Sequence, residues 1–240
     1  MLEVRRVSMN FSGLQVLNSI TFFVKEKEFV GLIGPNGAGK TTLFNCICGV
    51  YKPTSGEIRY MGKKIDGKKP HEICRLKVSR TFQLTRIFPE FTTLENVLIG
   101  IIARTEKAKS KNINDFRDEA LQYLTIVGLE SKKDVLAKNL TLAERRMTEL
   151  ARALATRPRL LLLDEVLAGL NPTEISQAVS TLEKIHNEYS ISIIWIEHVM
   201  HALMGAVERV LVLASGSLIA DGTPEEVSRD ENVITAYLGS

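Results

Sequence analysis

Apolar and polar residues follow two rhythms along this chain. The runs LEVRRV (2–7) and VLNSITFFV (16–24) interleave both kinds and are rich in β-branched and aromatic residues, the pattern of half-buried strands. EFVGLIG (28–34) is apolar almost throughout, and RLLLLDE (159–165), ISIIWIEH (191–198) and RVLVLAS (209–215) repeat that character. A strand with apolar side chains on both faces must be covered on both faces, the condition of a parallel sheet. Helical spacing fills the segments between the later runs, so strand, helix, strand recurs and an α/β fold with a parallel sheet is predicted.

From about 85 to 150 the buried strands vanish and amphipathic helices take over, which predicts a helical subdomain inserted between two parts of the sheet. Helix starts are marked by capping boxes: Thr92 with Glu95, Asn171 with Pro172 and Glu174, and Thr223 with Pro224 and Glu226. The most polar segment, RTEKAKSKNINDFRDE (104–119), is predicted to be a solvated loop leading into a helix.

Composition narrows the function classes. At 45% hydrophobic and 25% charged over 240 residues, the chain suits one domain or a lobe with an appended subdomain. The net charge of +3 is spread among acids, so no basic tract suited to a phosphate backbone exists and nucleic acid is not expected as a partner. Cys46, Cys48 and Cys74 are odd in number and form no C-x-x-C pair, which argues against a disulfide framework or zinc site and for a reducing cytoplasm. Cys46 and Cys48 read as core. MLEVRRVSMNF lacks the charged-then-apolar order of a signal, and no apolar run approaches the roughly 18 residues that span a bilayer, so the chain is expected to be neither secreted nor inserted by itself.

GPNGAGKT, residues 34–41, fits G-x-x-x-x-G-K-[ST] and lies where that motif must lie, between a buried strand and a helical run. Gly34, Gly37 and Gly39, with Pro35, Asn36 and Ala38 between them, let the backbone curl until successive N–H groups face a phosphate. The helix opening at Thr41 and Thr42 adds a favourable dipole. Lys40 is placed to neutralise the outer phosphates and the Thr41 hydroxyl to ligate Mg²⁺. LLLLDE (160–165) is the second element: a buried strand ending in Asp164 and Glu165, at the carboxyl end where parallel sheets bind ligands. Alternation along a strand separates the two acids' roles. Asp164 is expected to hold Mg²⁺, and Glu165 to face the γ-phosphate and polarise the attacking water.

With these motifs placed, the chain resembles, over essentially its whole length, the ATP-binding subunits of ABC transporters. The resemblance implies a P-loop NTPase core with a mainly parallel sheet, an N-terminal antiparallel β-subdomain and an inserted helical subdomain, within one nucleotide-binding domain spanning 1–240. Gln83 in SRTFQ matches the Q-loop, His198 in WIEH the switch histidine, and Phe11 in VSMNFSGLQVL the aromatic that stacks on adenine. Asn171 in LAGLN stands in place of the D-loop aspartate and is also a good helix N-cap. The cofactors implied are ATP and Mg²⁺, the metal on Thr41, Gln83 and Asp164, with Glu165 as general base or water positioner and His198 stabilising the transferred charge.

The implied partners are two transmembrane permease subunits, a second ATPase subunit and, indirectly, an extracytoplasmic solute-binding protein. The implied location is peripheral, on the cytoplasmic face of the cell membrane. RTFQLTRIFPEFTTLENVLIG (80–100) and EEVSRDENVITAYLGS (225–240) look like the ATPase subunits of branched-chain amino acid importers, whose relatives carry other amino acids, amides and urea. A regulatory nucleotide-binding subunit and a soluble ABC-type ATPase are the alternatives; one nucleotide domain without a long coiled-coil insertion argues against the second.

One place departs from the family pattern. The signature, usually LSGGQ, falls on Leu140, Thr141, Leu142, Ala143 and Glu144. Leu140 is retained and Thr141 keeps a hydroxyl able to reach a partner's ATP in trans, but both glycines and the glutamine are gone. Leu142 and Ala143 put a Cβ where an anion would approach the backbone. The stretch NLTLAERRMTELARAL also reads as a capping box, Thr141 with Glu144, followed by an amphipathic helix. A weakened trans contact and a purely structural helix start both stay open. Either way the two nucleotide sites of a dimer are expected to differ, which favours a different ATPase chain as partner over a homodimer.

Overall fold

The computed structural model describes residues 1–104 and 113–238, which fold around two sheets. In chain order the first elements are β1 (Leu2–Phe11), β2 (Leu14–Val24), β3 (Phe29–Ile33), α1 (Lys40–Ile47), β4 (Ser55–Tyr60), β5 (Lys63–Lys64), α2 (Pro70–Arg75) and β6 (Val78–Arg80). Three helices follow, α3 (Thr93–Arg104), α4 (Ile113–Ile126) and α5 (Leu142–Ala155). The chain then alternates through β7 (Leu160–Asp164), α6 (Pro172–Tyr189), β8 (Ser192–Ile196), α7 (Met200–Ala206), β9 (Arg209–Ala214) and β10 (Ser217–Gly222). It closes with α8 (Pro224–Arg229) and α9 (Glu231–Leu238).

The six-stranded sheet runs β10-β9-β3-β8-β7-β6, parallel from β9 to β6, with β10 antiparallel at the edge. Its four central strands are the four all-apolar runs, and strand alternation divides their side chains between two cores. Phe29, Ile33, Leu161, Leu163, Ile193, Trp195, Val210 and Val212 face the helical side, while Val30, Leu32, Leu160, Leu162, Ile194, Ile196, Leu211 and Leu213 face α1 and the second sheet. That second sheet is antiparallel, ordered β2-β1-β4-β5. The architecture is thus a P-loop core with an N-terminal antiparallel sheet and an inserted run of helices.

The strands differ from the sequence pattern in extent and number. β1 continues to Phe11, past irregularities in its register with β2 where Arg6 and Ser19 adopt positive φ. β4, β5, β6 and β10 come in addition to the predicted runs. The helix starts fall at the marked boxes, Thr92–Glu95, Asn171–Glu174 and Thr223–Glu226, each with the side chain and backbone bonds of a capping box. Of the polar segment 104–119, residues 105–112 lie outside the described residues. No described helix is long and apolar enough to cross a membrane.

α3 and α5 approach closely through Gly100, where an added Cβ would stand 2.3 Å from the Arg152 carbonyl oxygen and 3.0 Å from the Ala155 Cβ. Gly100→Ala should therefore cost about 1–3 kcal/mol by forcing the helices apart. Denaturant unfolding checks it, and unchanged stability would mean the helices can part freely.

Candidate functional site

β3 ends at Ile33 and the chain turns sharply into α1 through residues 34–39. Gly34, Gly37 and Gly39 have φ of 147°, 79° and 102°, conformations that side chains with a Cβ rarely adopt. They serve different ends. A Cβ on Gly34 would lie 2.0 Å from the Leu213 carbonyl oxygen, and one on Gly39 2.7 Å from Leu17 and 2.9 Å from the Val16 carbonyl oxygen, whereas nothing among the described residues stands within 4 Å of one on Gly37. Two glycines fit the loop to its neighbours; the third borders open space. α1 has no side-chain cap at Gly39, so its first N–H groups are free to meet an anion.

Lys40 is 5% exposed and folds back over the loop, donating to the carbonyls of Gly34 at 2.6 Å and Pro35 at 3.0 Å. Burial pushes its ammonium below the ordinary value, against the opposing pull of Glu165 and Asp164. Thr41 is exposed and Thr42 half-buried on the first turn of α1.

Asp164 ends β7 with 0% exposure. Its Oδ2 takes a charge-assisted bond from Arg80 at 2.5 Å, its backbone N–H donates to Thr81 Oγ1, and its Oδ1 is buried with no hydrogen-bond partner among the described residues. Arg80 is held in turn by Asn45 Oδ1 at 2.5 Å and by the rings of Phe44 and Phe82. Burial raises the Asp164 carboxyl above its ordinary value and Arg80 pulls it back; the geometric feature open to a cation is the buried Oδ1. That oxygen and the exposed Thr41 hydroxyl suit Mg²⁺, which keeps most of its shell for water and phosphate oxygens. The donor set fits the ion.

Glu165 takes φ +52°, an uncommon left-handed conformation for a glutamate, and its N–H donates to the Ile196 carbonyl at 2.9 Å. This turns its carboxylate out of the sheet. Oε1 lies 3.0 Å from His198 Nε2, and Oε2 accepts from Gln83 Nε2 at 2.8 Å. Gln83, Glu165 and His198 are thus brought together from three loops, with Gln83 amide nitrogen on the glutamate. Phe11 stands exposed at the end of β1, edge-on to Tyr51 with centroids 5.1 Å apart.

At the start of α5, Thr141 Oγ1 accepts the Glu144 N–H at 3.2 Å, and Glu144 Oε2 accepts the Thr141 N–H at 2.8 Å. That second bond, ahead of Lys132, holds the Glu144 carboxyl below its ordinary value, so the helix N-terminus carries its own anion. Leu142 is exposed and its Cδ2 would lie 2.9 Å from a Cβ on Gly169, in the turn after β7. Asn171 caps α6, its Oδ1 accepting the Glu174 N–H. Cys46 and Cys48 are buried, their thiols pushed up to about 12, unreactive core groups.

Three sets of residues escaped the motif reading. Arg80 and Asn45 anchor Asp164 but belong to no contiguous pattern. Glu197, buried between the loops of Glu165 and His198, carries the same signal that marks Asp164, an acid closing a buried apolar run. On α5, Arg146 donates to the carbonyls of Phe82 and Gln83, Arg152 to that of Arg86, and Glu149 accepts the N–H groups of Phe82 and Arg86. Nothing local distinguishes these from solvated helix charges; only the burial of Arg146 and Glu149, with Arg152 half-buried beside them, does.

Comparison with known proteins follows the same lines. The family model described as ABC transporter matches residues 17–168, and that described as branched-chain amino acid ATP-binding cassette transporter matches 217–240. The high-affinity branched-chain amino acid transport ATP-binding protein BraF of Pseudomonas aeruginosa is 39% identical, over 99% of this chain and 97% of its own. LivG of Escherichia coli, named for the same transport, is 38% identical over 100% and 98%. The crystal structure of an ATP-binding cassette of an ABC transporter in its ADP conformation superposes with a TM-score of 0.90 at 27% identity, covering 100% of this chain and 99% of that one. A nucleotide-free cassette gives 0.88 at 26%, covering 100% and 99%.

Proposed function

The chain belongs to the ABC transporter family as an ATP-hydrolysing importer subunit, and from that membership we propose that it powers uptake of branched-chain or related amino acids or amides through two separate permease subunits. The observation that carries the reading is the joining of the P-loop, Asp164 and the Gln83–Glu165–His198 cluster at one end of the parallel sheet. Residues of about 85–150 form the helical subdomain of this single nucleotide-binding domain. A site on the cytoplasmic face of the membrane, and a solute-binding protein on the other side, complete the arrangement.

Phe11 offers a ring face to adenine, and residues 34–42 cradle the phosphates with backbone N–H groups, the Lys40 ammonium exchanging carbonyls for phosphate oxygens. Thr41 and Asp164, with Gln83, would hold Mg²⁺, which would supply charge neutralisation on the outer phosphates. Glu165 takes a proton from, or orients, the attacking water, while Gln83 and His198 fix its two oxygens. His198 then faces the charge that develops on the transferred group.

The partner reading rests on α5. Thr141 caps α5 only as an acceptor and in trans keeps its O–H to donate to a phosphate, but Glu144 sets a negative charge at the same helix start. An anion is repelled there, so the site this chain completes for its partner is the weaker one. A second, different ATPase chain with a consensus signature restores one strong site.

Two experiments test this. Vesicles holding the permeases, both ATPase chains and the binding protein should take up leucine, isoleucine or valine only with ATP and this chain; uptake that ignores its omission overturns the reading. In the same assembly, Ala143→Gly with Glu144→Gln should raise turnover by roughly 2- to 10-fold by removing one Cβ and one charge from the trans site. An unaltered rate would leave α5 a structural helix start.

A further inference from the structure

Glu197 follows β8 and precedes His198, 1% exposed and joined to no cation by a salt bridge among the described residues. Its two oxygens reach in different directions. Oε1 accepts the Leu167 N–H at 2.7 Å, in the turn that follows Glu165, and Oε2 accepts the His198 N–H at 2.9 Å. A buried carboxylate without a cation is costly, and only N–H donors aimed at both oxygens make it tolerable. Its ordinary value is raised, first by burial and in part by the nearby Glu165 charge, with the N–H groups of Leu167, His198 and Val199 pulling the other way. The Glu165 N–H donates to the Ile196 carbonyl, a backbone tie between the same two loops.

Resting on the ATPase reading above, we propose that Glu197 is a positioning residue that locks the Glu165 turn and the His198 loop into one unit, fixing the 3.0 Å separation of Glu165 Oε1 and His198 Nε2. The geometry admits few substitutes. Glutamine offers one acceptor and turns an NH₂ toward the second N–H, leaving it orphaned in a buried place. Aspartate keeps both acceptors but draws them back by one methylene. In either case the two loops lose a shared anchor and the acid and the imidazole drift relative to each other, whereas the phosphate cradle, built on Lys40 and α1, keeps its own supports.

The test uses the full chain in its assembled transporter. Glu197→Gln should lower kcat by about 10- to 100-fold, because a misplacement near 1 Å costs that much, with ATP affinity within about 3-fold of wild type. Introduced into His198→Ala, the same change should cost less than about 2-fold more, since the geometry it guards is already lost. Should Glu197→Gln not fold by thermal melt, Glu197→Asp carries the same measurements, with the kcat loss expected to be smaller and the affinity again retained. Wild-type kcat in either folded variant, or an equal fold-loss with and without His198, overturns the assignment. A wild-type assembly with no turnover overturns the ATPase reading itself; turnover in wild type with none of these losses overturns only the role of Glu197.

Discussion

Glu165→Gln lowers ATP turnover of the assembled transporter by about 10²- to 10³-fold while ATP stays bound. Glutamine keeps the length of the side chain and tolerates the left-handed backbone no worse than glutamate, so the turn persists. It loses the basicity that draws a proton from water and one of the two acceptor oxygens that receive Gln83 and His198. The cradle does not depend on it: Lys40 is held by Gly34 and Pro35, and Asp164 by Arg80. Removing a negative charge beside the triphosphate should leave nucleotide affinity equal or tighter. Turnover and equilibrium binding of ATP, measured on the same preparation, decide it; normal turnover would remove Glu165 from the chemistry.

Gly34→Ala should be the most damaging single-methyl change in the loop, costing on the order of 3–5 kcal/mol. Its Cβ meets the Leu213 carbonyl oxygen at 2.0 Å, and Leu213 cannot retreat because β9 is paired with β3 on one side and β10 on the other. That loss is a large share of the total stability of an ordinary domain, about 5–15 kcal/mol. Gly37→Ala makes the contrast. Its Cβ enters open space, so the fold should lose only about 1–2 kcal/mol to the left-handed backbone. The methyl instead occupies the face open to phosphate, and ATP affinity falls. Thermal melts and nucleotide titrations of the two variants should therefore rank in opposite order, and equal melting curves would sink the argument.

How far this was legible follows from burial. β3, β7, β8 and β9 sit inside the six-stranded sheet with both faces covered, so each reads as an unbroken apolar run. β6 and β10 are that sheet's edges and β5 the edge of the other; short or half-exposed, they carry polar residues and leave no such trace. β1 outruns its apparent end because irregular pairing at Arg6 and Ser8 breaks the alternation. The site divides in the same way. Residues 34–42, Asp164 and Glu165 were visible because a phosphate loop and a strand end need fixed local spacing. Arg80 on Asp164, spanning 84 positions, needs none, and the role of Glu149 appears only once α5 is laid against residues 82–86.

The grip of α5 on that segment is made through main-chain atoms: Arg146, Glu149 and Arg152 hydrogen-bond the carbonyls and N–H groups of residues 82, 83 and 86. Leu84, 83% exposed, and Phe88 face outward from the held stretch. The identity of Leu84 is therefore decoupled from the anchorage, whereas Phe88 lies under the Arg152 guanidinium, 5.8 Å from its ring centroid, and takes part in it. A chain built this way can change the exposed side chain at position 84 without loosening the tie between this segment and the helix of residues 142–155.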